Sequence, residues 1–580
     1  MIITAVDEMC LALAKEESRR MGVDALAGRL GIDEGVVEKL GKVLQEREIV
    51  EIIYPVNMLQ KPVLRLKSEL EEKRAERVMG DSLINYNVKA NHVGAPVSIL
   101  DVKNQPRPIY SIAIPEIGPY TSVFLEYVHD ELARTVPLQT EEIMDQRRAA
   151  GVRERFYSAA CDMIAQLLPG IKPTDKEMLA GLLLNRMQGL GGIELLMADD
   201  WLEEVAINSA AEPISVYHRK FGWLKTNLRV SSEEEIFNYA SQIGRRSGKE
   251  ITLLSPVMDT HLVSGDRVTA TLFPVSSHGD TITIRRFARD PWTLIDFIDP
   301  VTRTLSSDMA AFLWLCVQYE MNIIVVGGTA SGKTSMLNAL SALIPPFHRT
   351  ITIEDTRELS LPSYLRWNWV PLVTRAPNPE GKGEIRMLDL MVSGVRMRPD
   401  RIIVGEVRKR EEAEVLFEAM HTGHAVYSTM HADTGSQMLR RLTHPPIDLP
   451  MTELQALQLI LVQYRDRRSG VRRTYEVGEV ITSSAEMISL NTMYRWKARQ
   501  DSFEKVNESM RVVEEMDLHA GMTPDEIEDD VREKKAILEW MLKNHARAVD
   551  DIGNVMGVYY KTPEIIIKAA EKNLPVDKVI

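Results

Sequence analysis

The run Ile323-Ile324-Val325-Val326-Gly327-Gly328-Thr329-Ala330-Ser331-Gly332-Lys333-Thr334 constrains this chain most. Four apolar residues of strand type break into G-x-x-x-x-G-K-T, and an apolar pattern at helical spacing follows. Gly327 and Gly332 let the backbone curl so that its N–H groups converge on phosphate oxygens. Lys333 adds a point charge for β- and γ-phosphates, and the Thr334 hydroxyl can ligate Mg²⁺. The helix predicted to start near Lys333 aims its positive dipole end at the same anion. Gly327, Gly328, Thr329, Ala330, Ser331, Gly332, Lys333, Thr334 and Ser335 are therefore the expected phosphate cradle. From about 301 to 490 strand and helix patterns alternate around this run, which implies an α/β fold with a mainly parallel sheet covered by helices.

At 580 residues the chain exceeds one ordinary core, and two to four domains are expected. The net charge of −13 opposes nucleic acid as a general partner. The three cysteines, Cys10, Cys161 and Cys316, are far apart and form no C-x-x-C pair, so neither zinc nor a disulfide framework is indicated. That cysteine usage fits a reducing, cytoplasmic setting. The N-terminus lacks a basic n-region, and no stretch reaches the roughly 20 apolar residues that span a bilayer. A membrane role is expected to run through a partner or a surface contact.

Before the phosphate loop, residues 1–80 read as a winged-helix outline. Asp24 to Gly31 is a short helix with a Gly stop, and Asp33 caps a second helix through Val36, Val37, Leu40, Val43 and Leu44. Strands at 49–54 and 63–66 complete the outline. The second helix carries Asp33, Glu34 and Glu38, which suits a protein-docking module better than phosphate contacts. A charge-dense helix is expected over 67–77. Residues 81–200 form a mixed connecting region, with short strands and turns to about 137 and helices after it. A β-rich domain follows over 201–290, with strands near 214–217, 224–228, 267–272 and 281–287. Residues 291–300, with Pro291 and Pro300 near either end, read as a linker, and 491–580 as a helical region with a capping box at Thr523-Pro524-Asp525-Glu526.

Three further segments bear on the phosphate site. Ile351 to Leu359 is a strand ending in Glu354 and Asp355, at the edge where a parallel sheet presents its active site. Glu354 is placed to orient or deprotonate an attacking water, or is simply an exposed strand-end acid. Arg398 to Arg408 is an apolar strand ending in Gly405-Glu406, whose carboxylate suits the shell of Mg²⁺. Gly423 to Ala432 is a strand flanked by His424 and His431, either of which can sense a γ-phosphate.

In this order the four segments resemble the secretion and pilus "traffic ATPases": type II and type IV secretion ATPases, type IV pilus motors and the archaellum motor. Gly327–Thr334 resembles the Walker A of that family, Ile353–Leu359 its Asp box, Ile402–Arg408 its atypical Walker B and Gly423–Ala432 its His box. Leu442 to Ile447 and Tyr559-Tyr560-Lys561-Thr562-Pro563 resemble the archaeal branch. The resemblance implies a RecA-like P-loop motor domain, a PAS-like α+β domain before it, and a homo-hexamer, with the winged-helix-like module as an addition. It implies ATP and Mg²⁺, the metal held by Thr334 and Glu406 partly through water. It implies catalytic roles for Glu354, Glu406, His431 and His424. Arg267, Arg285 and Arg286 are expected to complete the site from the β-rich domain, because a guanidinium fork matches a triphosphate.

The implied protein is a cytoplasmic ring ATPase, peripheral at the membrane through partners. It would drive assembly or movement of a type IV pilin-like filament, or related secretion, through a polytopic membrane platform protein. A retraction motor of the same family, a RecA-like nucleic-acid motor and a nucleotide-gated scaffold are the competing classes.

Overall fold

The computed structural model describes residues 2–55, 61–70, 78–136, 149–262, 264–287, 291–375, 377, 381–466, 468–482 and 488–580. They divide into two units, Met1–Phe287 and Ala288–Ile580.

The first unit opens with helices Ala5–Ala14, Val23–Leu30 and Glu34–Glu46 and a small antiparallel sheet. That sheet contains β1 (Arg20–Gly22), β2 (Val50–Ile53) and β3 (Val63–Leu66), in the order β1-β3-β2. The expected local signals operate here. Gly31 takes a left-handed φ of 67° at the C-cap of the second helix. Asp33 accepts the N–H of Gly35 at 2.8 Å to cap the third. Of the helix expected over 67–77, residues 67–70 are not helical and 71–77 lie outside the described residues.

A second, nine-stranded sheet has the order β10-β11-β12-β7-β8-β9-β6-β5-β4. Its strands are β4 (Asp81–Ala90), β5 (Val93–Asp101), β6 (Ile109–Ile112), β7 (Leu202–Ile207), β8 (Ser215–His218), β9 (Gly222–Thr226), β10 (Val257–His261), β11 (Arg267–Thr271) and β12 (Thr281–Arg285). All neighbours are antiparallel except β6 and β9. The sheet therefore runs through position 200, where the sequence reading placed a boundary. Residues 119–135, read as strands and turns, form a helix instead. Pro119 occupies its first turn, and Tyr120, Phe124, Leu125, Val128 and Leu132 are buried at helical spacing. Burial of that stripe outweighs the strand preference of its aromatic and β-branched residues.

The second unit holds the sheet β15-β14-β16-β17-β13-β18-β19-β20-β21. Its parallel part comprises β13 (Ile323–Gly327), β14 (Thr350–Glu354), β15 (Trp369–Val373), β16 (Arg401–Val404), β17 (Ala425–Met430) and β18 (Leu459–Arg465). This is a RecA-like core with the phosphate-loop strand between β17 and β18. Strands β19 (Arg472–Thr482), β20 (Ile488–Lys497) and β21 (Ser502–Lys505) extend it antiparallel. The sheet thus continues beyond 490, and helix resumes only at Arg511. Residues 291–300, read as a linker, contain the helix Leu294–Ile298, whose Leu294 and Ile295 lie in this unit's core.

Helices Arg511–Ala520, Pro524–Lys543, Val549–Tyr559 and Pro563–Glu571 pack on the sheet's covering helix Ser307–Gln318 and on one another. Thr523 and Glu526 form the expected capping box. The Tyr559-Tyr560 pair serves packing. Tyr559 lies against Trp314, and the Trp314 indole N–H donates to the Tyr560 hydroxyl at 3.0 Å. Beneath them the fully buried ammonium of Lys534 pairs with Asp530, donates to the Tyr559 hydroxyl at 3.2 Å and faces the Trp314 ring at 5.5 Å. Burial lowers its pKa, against the pull of Asp530. Removing Asp530 strands a buried cation. Asp530→Ala is expected to cost the second unit about 3–5 kcal/mol, whereas Lys534→Met costs far less; thermal unfolding of the two variants checks the order.

Candidate functional site

Register alone brings the distant boxes together. Val326 on β13 pairs with Met430 on β17, Ser428 on β17 with Val404 on β16, and Val404 with Ile353 on β14. The strands end in step, so Gly327, His431, Gly405-Glu406 and Glu354 emerge along one edge. Gly327 is required for space: a Cβ there would stand 2.4 Å from the Gln463 carbonyl oxygen and the Ser331 hydroxyl. Gly332, at φ 96°, starts the helix Lys333–Ser341.

A chain of polar contacts crosses this edge. Lys333 Nζ donates to the carbonyls of Gly327 at 3.1 Å and Gly328 at 3.2 Å, and reaches His431 Nδ1 at 3.2 Å. An ammonium only donates, so Nδ1 accepts, and the ring proton belongs on Nε2, 3.2 Å from Glu406 Oε1. Arg408 donates to the other oxygen of Glu406 at 2.7 Å and to Asp355 Oδ2 at 3.1 Å. The Lys333 pKa is lowered by burial, while Glu406 and Glu358 oppose the shift. The Arg408 pKa is raised, first by its hydrogen bond to Glu406.

Glu354 is in a different environment. It is 2% exposed, and its Oε1 accepts the N–H groups of Glu358 at 2.8 Å and Leu359 at 3.0 Å. Its Oε2 is buried with no hydrogen-bond partner among the described residues. Burial pushes its pKa from 4.5 up to about 7, against those two hydrogen bonds.

His424 stands at the other end of β17. Its Nδ1 lies 3.1 Å from the Ala419 carbonyl and 3.0 Å from the Thr422 hydroxyl. Roughly 20 Å of strand separates it from His431, so the fold of this unit does not bring it to the phosphate loop. The expected arginines lie in the first unit. Arg267 and Arg285 are cross-strand partners on β11 and β12. Arg267 Nε donates to Asp259 at 3.0 Å, and Arg285 lies opposite Glu204 of β7. Arg286 differs because consecutive residues along an extended chain face opposite sides. Its side chain is 5% exposed and donates to the carbonyls of Asp199 and Leu202, the latter at 2.9 Å. It braces the start of β7, and its expected role at the phosphates is not supported by this placement.

The profile described as "Type II/IV secretion system protein" matches residues 266–468. An uncharacterized protein of Methanocaldococcus jannaschii is 33% identical over 469 residues, covering 79% of this chain and 81% of the relative. The type IV secretion system protein PtlH of Bordetella pertussis is 31% identical over 291 residues, covering 44% of this chain and 84% of PtlH. The chain belongs to the type II/IV secretion system protein family. Two further proteins of Methanocaldococcus jannaschii are 41% identical over 241 residues and 40% identical over 210 residues. The crystal structure of the VirB11 ATPase of Brucella suis in complex with sulphate aligns at 24% identity, covering 48% of this chain and 90% of that one, with a TM-score of 0.26.

Three polar residues of this secretion-family site were not singled out from the sequence: Asp355, Arg408 and Arg472. The first two stood inside the quoted boxes, one and two positions from the chosen carboxylates. Arg472 had no local signal; β19 returns beside β18 and sets its Nε 3.1 Å from the Ala330 carbonyl. The donor set suits Mg²⁺. Among the described residues no three His, Cys, Asp or Glu side chains converge as a closed cage. A nucleotide magnesium needs only one or two protein oxygens besides phosphates and water. Glu406 already has cationic or donor partners at both oxygens, as a carboxylate fitted to a cation should.

Three outcomes test this geometry. His431→Ala is expected to lower ATP turnover by about 10²-fold or more, and His424→Ala to leave it within a few-fold, in a steady-state assay. Turnover should rise with pH through about 7 as Glu354 ionises. The stability sign is the reverse. The folded pKa of Glu354 lies above its unfolded value, so stability falls as pH rises from 4.5 to about 7 and stays reduced above that. Glu354→Gln should therefore abolish turnover yet raise the unfolding midpoint more at about pH 8 than at about pH 5.

Proposed function

We propose that this chain is an ATP-hydrolysing motor that works as a ring of six. It drives assembly or movement of a type IV pilin-like filament, or related secretion, from the cytoplasmic face of a membrane through a polytopic platform protein. Membership of a family of secretion and pilus ATPases supports the activity. The observation that carries it is the contact chain Lys333–His431–Glu406–Arg408–Asp355 at the mouth of the phosphate loop.

In this reading the incoming phosphates draw the Lys333 ammonium away from the Gly327 and Gly328 carbonyls. His431 loses that donor, so its ring and its bond to Glu406 respond to the nucleotide. When bound, Mg²⁺ would be held by Thr334 and Glu406 and would supply charge neutralisation at the phosphates. Glu354 takes the proton of the attacking water; its raised pKa makes it a stronger base than an ordinary carboxylate. Arg267 and Arg285 keep the expected role of completing the site from the β-rich domain, and ring neighbours transmit the resulting motion.

Among the described residues no helix is long and apolar enough to cross a membrane. The decisive experiment replaces Lys333 by Ala in the source organism and counts surface filaments by electron microscopy. Loss of filaments, with loss of ATP turnover by the purified chain, is the expected result. Normal or excess filaments would overturn the assembly reading in favour of retraction or of another cargo.

A further inference from the structure

The edge of the motor sheet opposite the phosphate loop carries an organised aromatic and basic surface. Strands β14, β15 and β16 are neighbours, and the segments that lead into them are tied together by one side chain. Arg349 donates through Nε to the Met397 carbonyl at 2.9 Å and through Nη1 to Asn368 Oδ1 at 2.8 Å. Its backbone N–H donates to Asp400 at 2.5 Å, and its carbonyl accepts from Asp400 and Arg401. Segments 345–349, 363–368 and 396–400 are therefore one surface.

On that surface Trp367 is 70% exposed and Phe347 62% exposed. The Trp367 indole N–H donates to the Pro346 carbonyl at 3.1 Å. Its polar handle is thus satisfied from within, and what it presents outward is apolar ring. Tyr364 and Leu365 anchor the same turn, the first hydrogen-bonded to the Ala342 and Ile344 carbonyls, the second fully buried. A large aromatic held open in this way is not a side chain that failed to find a core; its backbone is fixed so that it stays outside. Arg366, Arg396 and Arg398 are exposed around it, with Met397 beside them. The acid on the same segments, Asp400, is engaged by the backbone of Arg349.

We propose that this surface seats the motor unit directly on an anionic membrane, with Trp367 and Phe347 entering the headgroup layer and Arg366, Arg396 and Arg398 pairing with lipid phosphates. Charge decides for lipid over the other occupants. The chain carries −13 overall, so an anionic leaflet repels it in every orientation except one that leads with a local cationic cluster. The cytoplasmic loops of polytopic membrane proteins are themselves rich in Lys and Arg, and would be repelled by three arginines. Anionic headgroups attract them, and exposed tryptophan favours the bilayer interface. The surface is roughly 17 Å of strand away from the phosphate loop, so contact there leaves the nucleotide mouth open. The proposal does not depend on the direction in which the motor runs.

The test uses the full chain and sedimentation with unilamellar vesicles of phosphatidylglycerol and phosphatidylcholine in equal parts, against phosphatidylcholine alone. Binding to the anionic vesicles only, weakened by salt, is expected. Replacing all three arginines (Arg366→Gln, Arg396→Gln, Arg398→Gln) should lower the partition on the order of a hundredfold, and Arg398→Gln alone about fivefold. Trp367→Ala should lower it at unchanged charge. ATP turnover and the thermal midpoint should stay at the parent values, since none of these residues touches the phosphate site or the core. Equal pelleting of variants and parent would overturn the proposal. So would a change of oligomeric state in the variants by light scattering, which makes the surface an interface between copies. Tighter binding of a fluorescent single-stranded oligonucleotide through the same residues would overturn it in favour of nucleic acid.

Discussion

The site depends on one constraint: an ammonium held half-buried among backbone must keep acceptors, and the acceptors available to Lys333 come from two different strands. Two belong to its own loop, the Gly327 and Gly328 carbonyls. The third is His431, at the end of β17. Because β13 and β17 run parallel and end in step, this contact requires no distortion of either strand. From His431 the same requirement passes to Glu406 and then to Arg408 and Asp355. A buried or half-buried charge that loses its partner is costly, so the elements cannot change independently. Anything that displaces Lys333 from its carbonyls alters the donor on His431 and, through it, the balance at Glu406.

The two glutamates at this edge show how backbone position divides one chemistry into two. Glu406 has a cation or donor at each oxygen. Glu354, at the end of the adjacent strand β14, has only two backbone donors at Oε1 and an Oε2 with no partner among the described residues. Burial there outweighs the hydrogen bonds and its pKa rises to about 7. The cationic and donor partners of Glu406 suit it to hold a cation, and the burial of Glu354 suits it to take a proton.

The second unit was largely legible in the sequence because its signals are local. The strand before Gly327, the glycine spacing and the strand-end acids are each set by a few adjacent residues, and a parallel sheet then fixes where their ends meet. The same holds for Gly31, Asp33 and the Thr523–Glu526 cap. What could not be read depends on partners distant in the chain. The helix 119–135 has strand-like composition, and only burial of its stripe by other helices decides its form. Strands β20 and β21 follow a segment that reads as the end of a domain, yet β19 offers an unpaired edge that takes them up. Arg286 looked equivalent to Arg285 by adjacency, but alternation along the strand gives it the opposite side and a different partner set. His424 and His431 flank one strand in the sequence, and its six residues put them at opposite edges of the sheet.

That alternation of edges also explains why the base of the sheet is built so differently from its top. At the start of β16 the side chain of Arg401 is fully buried, donating to His348 Nδ1 at 3.0 Å, to the Val317 carbonyl at 2.7 Å and to the Tyr427 hydroxyl. Burial, with Arg401 beside it, pushes the His348 pKa down to about 4. The imidazole therefore stays neutral through the physiological range and accepts from the guanidinium. Strand β16 thus carries a permanently compensated cation at its foot and the adjustable carboxylate of Glu406 just past its head. The guanidinium thus donates to a neutral ring, a carbonyl and a phenol. It fixes the feet of β16 and β17 against the covering helix Ser307–Gln318.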